Sequence, residues 1–482
     1  DEDMEEAQTR FEETIEPAVA RIFQRVMKYD SHHESNVDIG FDDTQEDLEY
    51  DSVHKHEDKI CTIEEYNPMY EVSSDVRHDS SNNVDIDSVY EKPDNVKFQN
   101  NELRNKKINN YKWIRLGNGI DNGMVHDLCM DNINRKIYIS GSFQYVNHVP
   151  MKNLSVYDLR TKLWSNVGEG VPNLASCMVL DEEKQVLYVG GIFNKVGNRN
   201  VQAFNIAAYH IREQVWKALG DGLNRECSCM VIDKPNNKLY AGGSFTYSGK
   251  KKIHHLGIYD LDKNEWVPLA GGALNGPCRS LVKPTHDELY VGGLFTHAGK
   301  NDLHVSYIAK YNISTNEWSE LNGGLKGYCN TMAYNTNDHK LYAGGTFTSC
   351  GMGDNTINSN HIAQYNTKTS KWENMNGGLN SVVNSLQCDN TNTFLYIGGG
   401  FTHTRDDNVL LNHIAKYNTK TPIFQPLENQ FVKDNDNESD NIGTNGQCKV
   451  LSVDNNSLLV AGKFEIAGNI TANSIARYII KR

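Results

Sequence analysis

Residues Lys238–Phe245 read KLYAGGSF, and after a short spacer residues His255–Trp266 read HLGIYDLDKNEW. Leu239 and Tyr240 begin a β-type run that meets the glycine pair Gly242-Gly243 and then Phe245. Ile258-Tyr259-Asp260 follows, and Trp266 stands seven residues after Tyr259. The phrase recurs along most of the chain. Its Phe anchors are Phe143, Phe193, Phe245, Phe295, Phe347, Phe401 and Phe464, spaced by 50, 52, 50, 52, 54 and 63 residues. Its Tyr anchors are Tyr157, Tyr209, Tyr259, Tyr311, Tyr365, Tyr417 and Tyr478. Seven copies at that period, each holding several short strands, read as an all-β fold, a seven-bladed β-propeller.

A hydrophobic strand, a double glycine, then Tyr and Trp at fixed offsets resemble the kelch repeat. The wording Ile308-Ala309-Lys310-Tyr311 and Ile414-Ala415-Lys416-Tyr417 resembles the Rax2-like relatives of kelch propellers more closely. The resemblance covers residues 111–482. It implies a fold and not an activity, because propellers host enzymes, receptors and scaffolds alike.

Each copy offers four strand-sized runs. In the third copy they are Cys227–Asp233 (innermost), Lys238–Phe245, Leu256–Asp260 and Glu265–Leu269. The fourth-strand anchors are Trp113, Trp164, Trp216, Trp266, Trp318, Trp372 and, by position, Phe424. Trp113 precedes the first Gly-Phe unit, while nothing like it follows Tyr478. The N-terminal strand around Trp113 is therefore expected to complete the last blade and remove the open sheet edge.

Ahead of the repeats lies an acidic N-terminal arm. Residues 1–100 hold a net charge of −19, and the rest of the chain holds +5. Residues 1–30 read as an amphipathic segment with a short α-helix: Met4, Ala7, Phe11 and Ile15 recur at helical spacing, then Val19, Ile22, Phe23 and Val26. Pro17 suits the first turn of a second helix. Residues 31–110 are polar and aperiodic, so the arm is expected to be extended or disordered unless a partner or the ring holds it. No concentrated basic stripe exists, which argues against nucleic acid as a partner. No apolar run approaches the ~20 residues of a membrane-spanning helix. The chain opens on Asp1 with an acidic stretch that is not a signal peptide, so a targeting segment ahead of it stays open.

The ten cysteines follow the repeat. One column of the innermost strand reads Val125, Ala175, Cys227, Cys278, Cys329, Val383, Cys448, so cysteine alternates there with Val and Ala as a small buried hydrophobe. Equivalent positions on different blades are expected to lie too far apart to bridge. Reduced thiols fit an intracellular compartment.

Few residues invite chemistry. Asp434, Asp436, Glu438 and Asp440, in the insert that lengthens the last spacing, alternate like a calcium loop but lack the EF-hand glycine and terminal Glu. His255, His361 and His413, with Asn153 and Asn205 in the same slot, are distributed one per blade, which suits bonding to backbone and not a shared metal. The residue after the small-apolar column is polar in every copy: His126, Ser176, Ser228, Arg279, Asn330, Asn384, Lys449. If the innermost strands line the channel, these seven converge at its mouth, as a solvated ring or as contacts for a partner's acidic or amide groups. The set holds no carboxylate, so it offers no acid–base pair. No nucleophile elbow and no phosphate loop is present.

The expectation is a non-catalytic scaffold or structural component of a larger assembly, with no cofactor or metal. Its partners are other proteins, met through the arm and the propeller rim. Asn, Lys and Ile richness suggests an A+T-rich source, such as a protist or the virion of one of its large DNA viruses. The alternatives are a propeller enzyme, oxidase-like or hydrolytic, and a secreted or cell-surface Rax2-like protein. The sequons at Asn153, Asn312, Asn437, Asn455 and Asn469 bear on the last.

Overall fold

The computed structural model describes residues 113–427, 443–454 and 456–480. The expected helical segment, the acidic arm with its boundaries, and the insert carboxylates Asp434, Asp436, Glu438 and Asp440 lie outside the described residues. What is described is all-β, apart from one short 3-10 turn at Gly353–Asn355. No helix among the described residues is long and apolar enough to cross a membrane.

Seven antiparallel four-stranded sheets form the blades. The third is Cys227–Asp233, Lys238–Gly243, Leu256–Asp260 and Glu265–Pro268, in spatial order from the axis outward. The innermost strands of neighbouring blades pack in a closed circle, with Met124–Asp131 of the first blade against Cys448–Val453 of the seventh. Closure is by a mixed blade. Trp113–Arg115 pairs antiparallel with Ile475–Ile479, setting Trp113 opposite Tyr478. The expected closing strand is thus in place.

The core is a set of wedges, one per blade interface. Between blades two and three, Cys177, Tyr188 and Ile206 meet Cys227, Leu239, Phe245, Tyr259 and Trp266. Six Tyr anchors face a Trp on the paired strand and Tyr417 faces Phe424, with ring centroids 4.9 Å apart in Tyr157–Trp164 and 5.2 Å in Tyr259–Trp266. Such offset pairs contribute about 0.5–1.5 kcal/mol beyond their buried area. The indole N–H of Trp266 donates to the Leu219 carbonyl of the preceding blade at 2.8 Å, and that of Trp164 to Leu116 at 2.9 Å. Five Trp anchors therefore join blades as well as fill them, while the Trp113 indole N–H is buried without a partner among the described residues.

The double glycine has two separate tasks. A Cβ on Gly243 would lie 2.1 Å from the Glu226 carbonyl oxygen of its own blade. A Cβ on Gly242 would lie 2.5 Å from Cys278 Sγ of the next blade. The first glycine thus makes room for the next blade's small-apolar column. In the first blade Ser140 stands at that position, and the next blade's column residue there is the smaller Ala175.

Candidate functional site

The innermost strands carry a feature that periodicity alone hides. In all seven blades the pairing of the first two strands slips by one residue, and the skipped residue is His126, Ser176, Ser228, Arg279, Asn330, Asn384 or Lys449. Each is the extra residue of a β-bulge, which re-aims a side chain out of the alternating pattern. Here the bulges aim seven polar side chains at the axis, where all seven line one cavity of about 400 Å³. The structure therefore brings together every member of the ring expected from sequence.

The ring is knitted blade to blade. Ser176 Oγ donates to Glu226 Oε1 at 2.7 Å, and Arg279 Nη1 donates to Asn330 Oδ1 at 3.2 Å. Asn384 Nδ2 donates to the Cys448 carbonyl at 3.0 Å. Lys449 makes no hydrogen bond or ion pair among the described residues. Burial pushes its ammonium below the usual lysine range; the nearby Arg279 adds to this and Glu226 opposes it. Burial, with Lys449 adding, pushes His126 down to about 4, so it is neutral at pH 7.

One expectation needs correction, since the cavity does contain carboxylates. Glu226 and Asp127 both line it. Asp127 occupies the column after the bulge, whose other members are Cys177, Cys229, Ser280, Thr331, Ser385 and Val450. This column zips neighbouring blades: Ser385 Oγ accepts from the Leu451 N–H at 3.0 Å, and Thr331 Oγ1 from the Leu386 N–H at 3.1 Å. Asp127 Oδ2 takes the same bond from the Met178 N–H at 2.6 Å, and its Oδ1 accepts from the Leu128 N–H at 2.8 Å. Its carboxyl touches the channel on one side and is otherwise enclosed by protein. Burial pushes it up to about 7 despite the two backbone donors. The shared column is the signal in the sequence: a lone Asp among Ser, Thr, Cys and Val marks the place.

The cysteine reading also needs adjustment. Every cysteine among the described residues is a free thiol. Offset columns, however, do meet across blades: Cys229 Sγ lies 3.6 Å from Cys278 Sγ, and Cys177 Sγ 3.9 Å from Cys227 Sγ. The bulge causes this by turning the third-column residue toward the next blade.

Two of the three column histidines bond to backbone as expected, while His413 Nδ1 is buried without a hydrogen-bond partner among the described residues. His255 Nδ1 lies 3.2 Å from the Gly243 carbonyl, and His361 Nδ1 3.2 Å from that of Gly345. All three histidines, with Asn153 and Asn205, have left-handed backbone, which Asn and His tolerate better than most residues. No group of three or more metal-ligating side chains forms among the described residues.

The cavity opens toward the face where each second strand ends, and there sequence reasoning missed an element. A two-stranded hairpin, such as Tyr247–Ser248 with Lys251–Lys252, links the second and third strands in six blades. An Asn three residues before the small-apolar column ties it down. Asn224 Oδ1 accepts from Thr246 and Tyr247 N–H at 2.9 and 3.0 Å, and Asn275, Asn380 and Asn445 repeat the motif. The hairpin tips are mostly glycine and polar residues, and exposed apolar side chains stand beside them. Seven of the eleven exposed large apolar side chains among the described residues belong to this face: Tyr145, Val149, Ile192, Phe204, Tyr328, Met352 and Leu410.

A profile of the Rax2 C-terminal beta propeller domain matches residues 201–327, 278–377 and 319–451. Together these overlapping matches span residues 201–451, just over half of the chain. The chain belongs to the Rax2 C-terminal beta propeller family. Comparison with curated proteins gives no match. The three matches to the Rax2 propeller overlap and are each about two blades long, as a repeat aligned to itself in several registers would give.

Proposed function

We propose that this Rax2-type propeller is a non-catalytic interaction protein, a scaffold or structural component of a larger assembly. Its contact surface is the face with the channel mouth and the hairpins, and the N-terminal arm supplies a second contact. The double glycine with its Tyr–Trp pairs supports a kelch-type reading of the repeat. The observation that carries the function is that most of the exposed large apolar side chains among the described residues stand on the one face that carries the tied hairpins. Apolar side chains exposed singly are ordinary, whereas a set gathered on one face of a rigid ring suits a protein partner. A virion or protist complex is the concrete setting proposed, in a reducing compartment where the free thiols persist.

Affinity capture from the native source, with light scattering on what is recovered, tests this. The full chain is expected to bring down a stoichiometric protein partner. Substituting Tyr145, Tyr328 and Met352 by Ser is expected to lose that partner without unfolding the ring. If the full chain recovers no protein, or the triple variant recovers as much, the scaffold reading fails.

A second reading, a secreted or cell-surface Rax2-like protein, is favoured by one observation. Asn469 is exposed at the tip of the hairpin Ile466–Ala467/Ile470–Thr471, where a glycan would fit. Asn153 is buried, with its amide bonded to Phe143 N–H and the Val171 carbonyl, and is closed to modification. Glycan on Asn469 in native protein would favour that reading, and an unmodified Asn469 would remove its support.

A further inference from the structure

The channel mouth holds an imbalance that the interaction reading leaves unused. Two cations reach it from well-separated blades, Arg279 in the fourth and Lys449 in the seventh, and they repel each other across the cavity. Neither has an ion-pair partner among the described residues. Of the two carboxylates that line the cavity, Glu226 is engaged by the Ser176 hydroxyl and Asp127 by the Met178 and Leu128 N–H groups. Lys449 is partly buried and Arg279 is exposed at the same mouth. A partly buried cation without a partner carries a desolvation cost, and an anion placed beside it recovers part of that cost. Hydrogen-bond donors stand around the same space: the Ser228 hydroxyl and those guanidinium N–H groups that Asn330 does not occupy. A planar guanidinium fork matches a carboxylate well.

We propose that the channel mouth is a carboxylate-binding site, in which Lys449 and Arg279 clasp one carboxylate from opposite walls with His126 lining the same cavity. The proposal rests on the interaction reading and specifies what enters the mouth: the carboxylate of an acidic side chain presented by a protein partner. A free small carboxylic acid shares the chemistry and is separated by the test. Phosphate suits the site less, because Glu226 faces the same cavity and would repel a second negative charge. The cavity of about 400 Å³ admits a side chain or a short acid and not a folded element.

Calorimetric titration of the full chain tests it, with four probes: acetyl-Gly-Glu-Gly-amide, its Gln counterpart, succinate and inorganic phosphate. The Glu peptide is expected to bind at least about tenfold more tightly than the Gln peptide and than phosphate. Lys449→Met and Arg279→Gln are each expected to weaken it by about tenfold or more. Lys449→Arg is expected to restore binding, and Lys420→Met, on an exposed turn, to leave it unchanged. Tighter binding of succinate than of the Glu peptide would keep the carboxylate site and assign it to a small-molecule source. Equal binding of Glu and Gln peptides, preference for phosphate, unchanged binding in folded Lys449→Met, or no binding of any probe would each overturn the proposal. A wild-type chain that captures its protein partner equally well as Lys449→Met separates the two readings, because the carboxylate site then fails while the scaffold stands.

Discussion

Asp127→Ser places at the one carboxylate of its column the residue that Ser385 already supplies in the sixth blade. The hydroxyl can accept from Met178 N–H as Ser385 does from Leu451, so the blade-to-blade bond is kept. What changes is the titration. Asp127 has its folded value raised from the ordinary 3.8 to about 7, chiefly by burial. Folding stability from such a group is fully present below the unfolded value and is lost as pH rises through the folded one. Between pH 5 and pH 8 the wild-type chain should therefore lose about 2.5 kcal/mol that Asp127→Ser does not lose. That figure is a ceiling, since one side of the carboxyl opens on the channel. The neighbouring thiols Cys129 and Cys177 are held high by burial and stay neutral throughout. His126 titrates below the window. Urea unfolding of both proteins at pH 5 and pH 8 reads the effect. Whatever difference the substitution leaves at pH 5, the variant should gain a further ~1–2.5 kcal/mol on wild type by pH 8. A difference between the two proteins that does not change with pH, or a variant that loses ground to wild type between pH 5 and pH 8, would refute the reasoning.

Three further outcomes follow from the packing. Trp113→Ala removes a buried ring from the closing strand and should cost about 3–5 kcal/mol in urea unfolding; a loss below about 1 kcal/mol would mean that the mixed blade does not hold the ring shut. Gly242→Ala drives a methyl into Cys278 Sγ and should cost about 1–3 kcal/mol, with Cys278→Ala restoring part of it, since Cys229 Sγ at 2.8 Å and the Cβ of residue 278 at 2.9 Å still crowd the methyl. If the double variant is no better than the single one, the glycine has another task. Lys283→Met strips the buried Asp233 carboxylate of the ammonium 3.2 Å away and should cost about 3–5 kcal/mol in urea unfolding at neutral pH; a loss below about 1 kcal/mol would mean that the pair does not hold the blade.

The ring was legible in the sequence because its signal is repeated. Gly242-Gly243, Tyr259 and Trp266 each report a local constraint, and seven copies make the period plain. Closure was legible from a single residue, Trp113, because an anchor without a preceding Gly-Phe unit has one place to go. The polar ring was found as a column, yet its cause was not, since a bulge shows only when two strands are laid side by side and one residue is left over. The same gap hid Asp127 and the near-contact of Cys229 with Cys278, both of which depend on the side chain that follows the bulge. The hairpins were missed because strands of two residues carry no periodicity. Asn224, Asn275, Asn380 and Asn445, at a fixed distance before the column, were the clue to them, and each works through hydrogen bonds to backbone about 20 residues further on.

Amide hydrogen exchange of the full chain, alone and with its captured protein partner, asks most directly whether the mouth face is the contact surface. The expected result is slowed exchange at the hairpins, such as 247–252 and 297–304, and at the bulge residues near Arg279 and Lys449. The opposite face, including the turns at 132–135 and 234–237, is expected to exchange as in the free chain. Slowing confined to those turns or to the outer strands, with the hairpins unchanged, would contradict the assignment of the binding face.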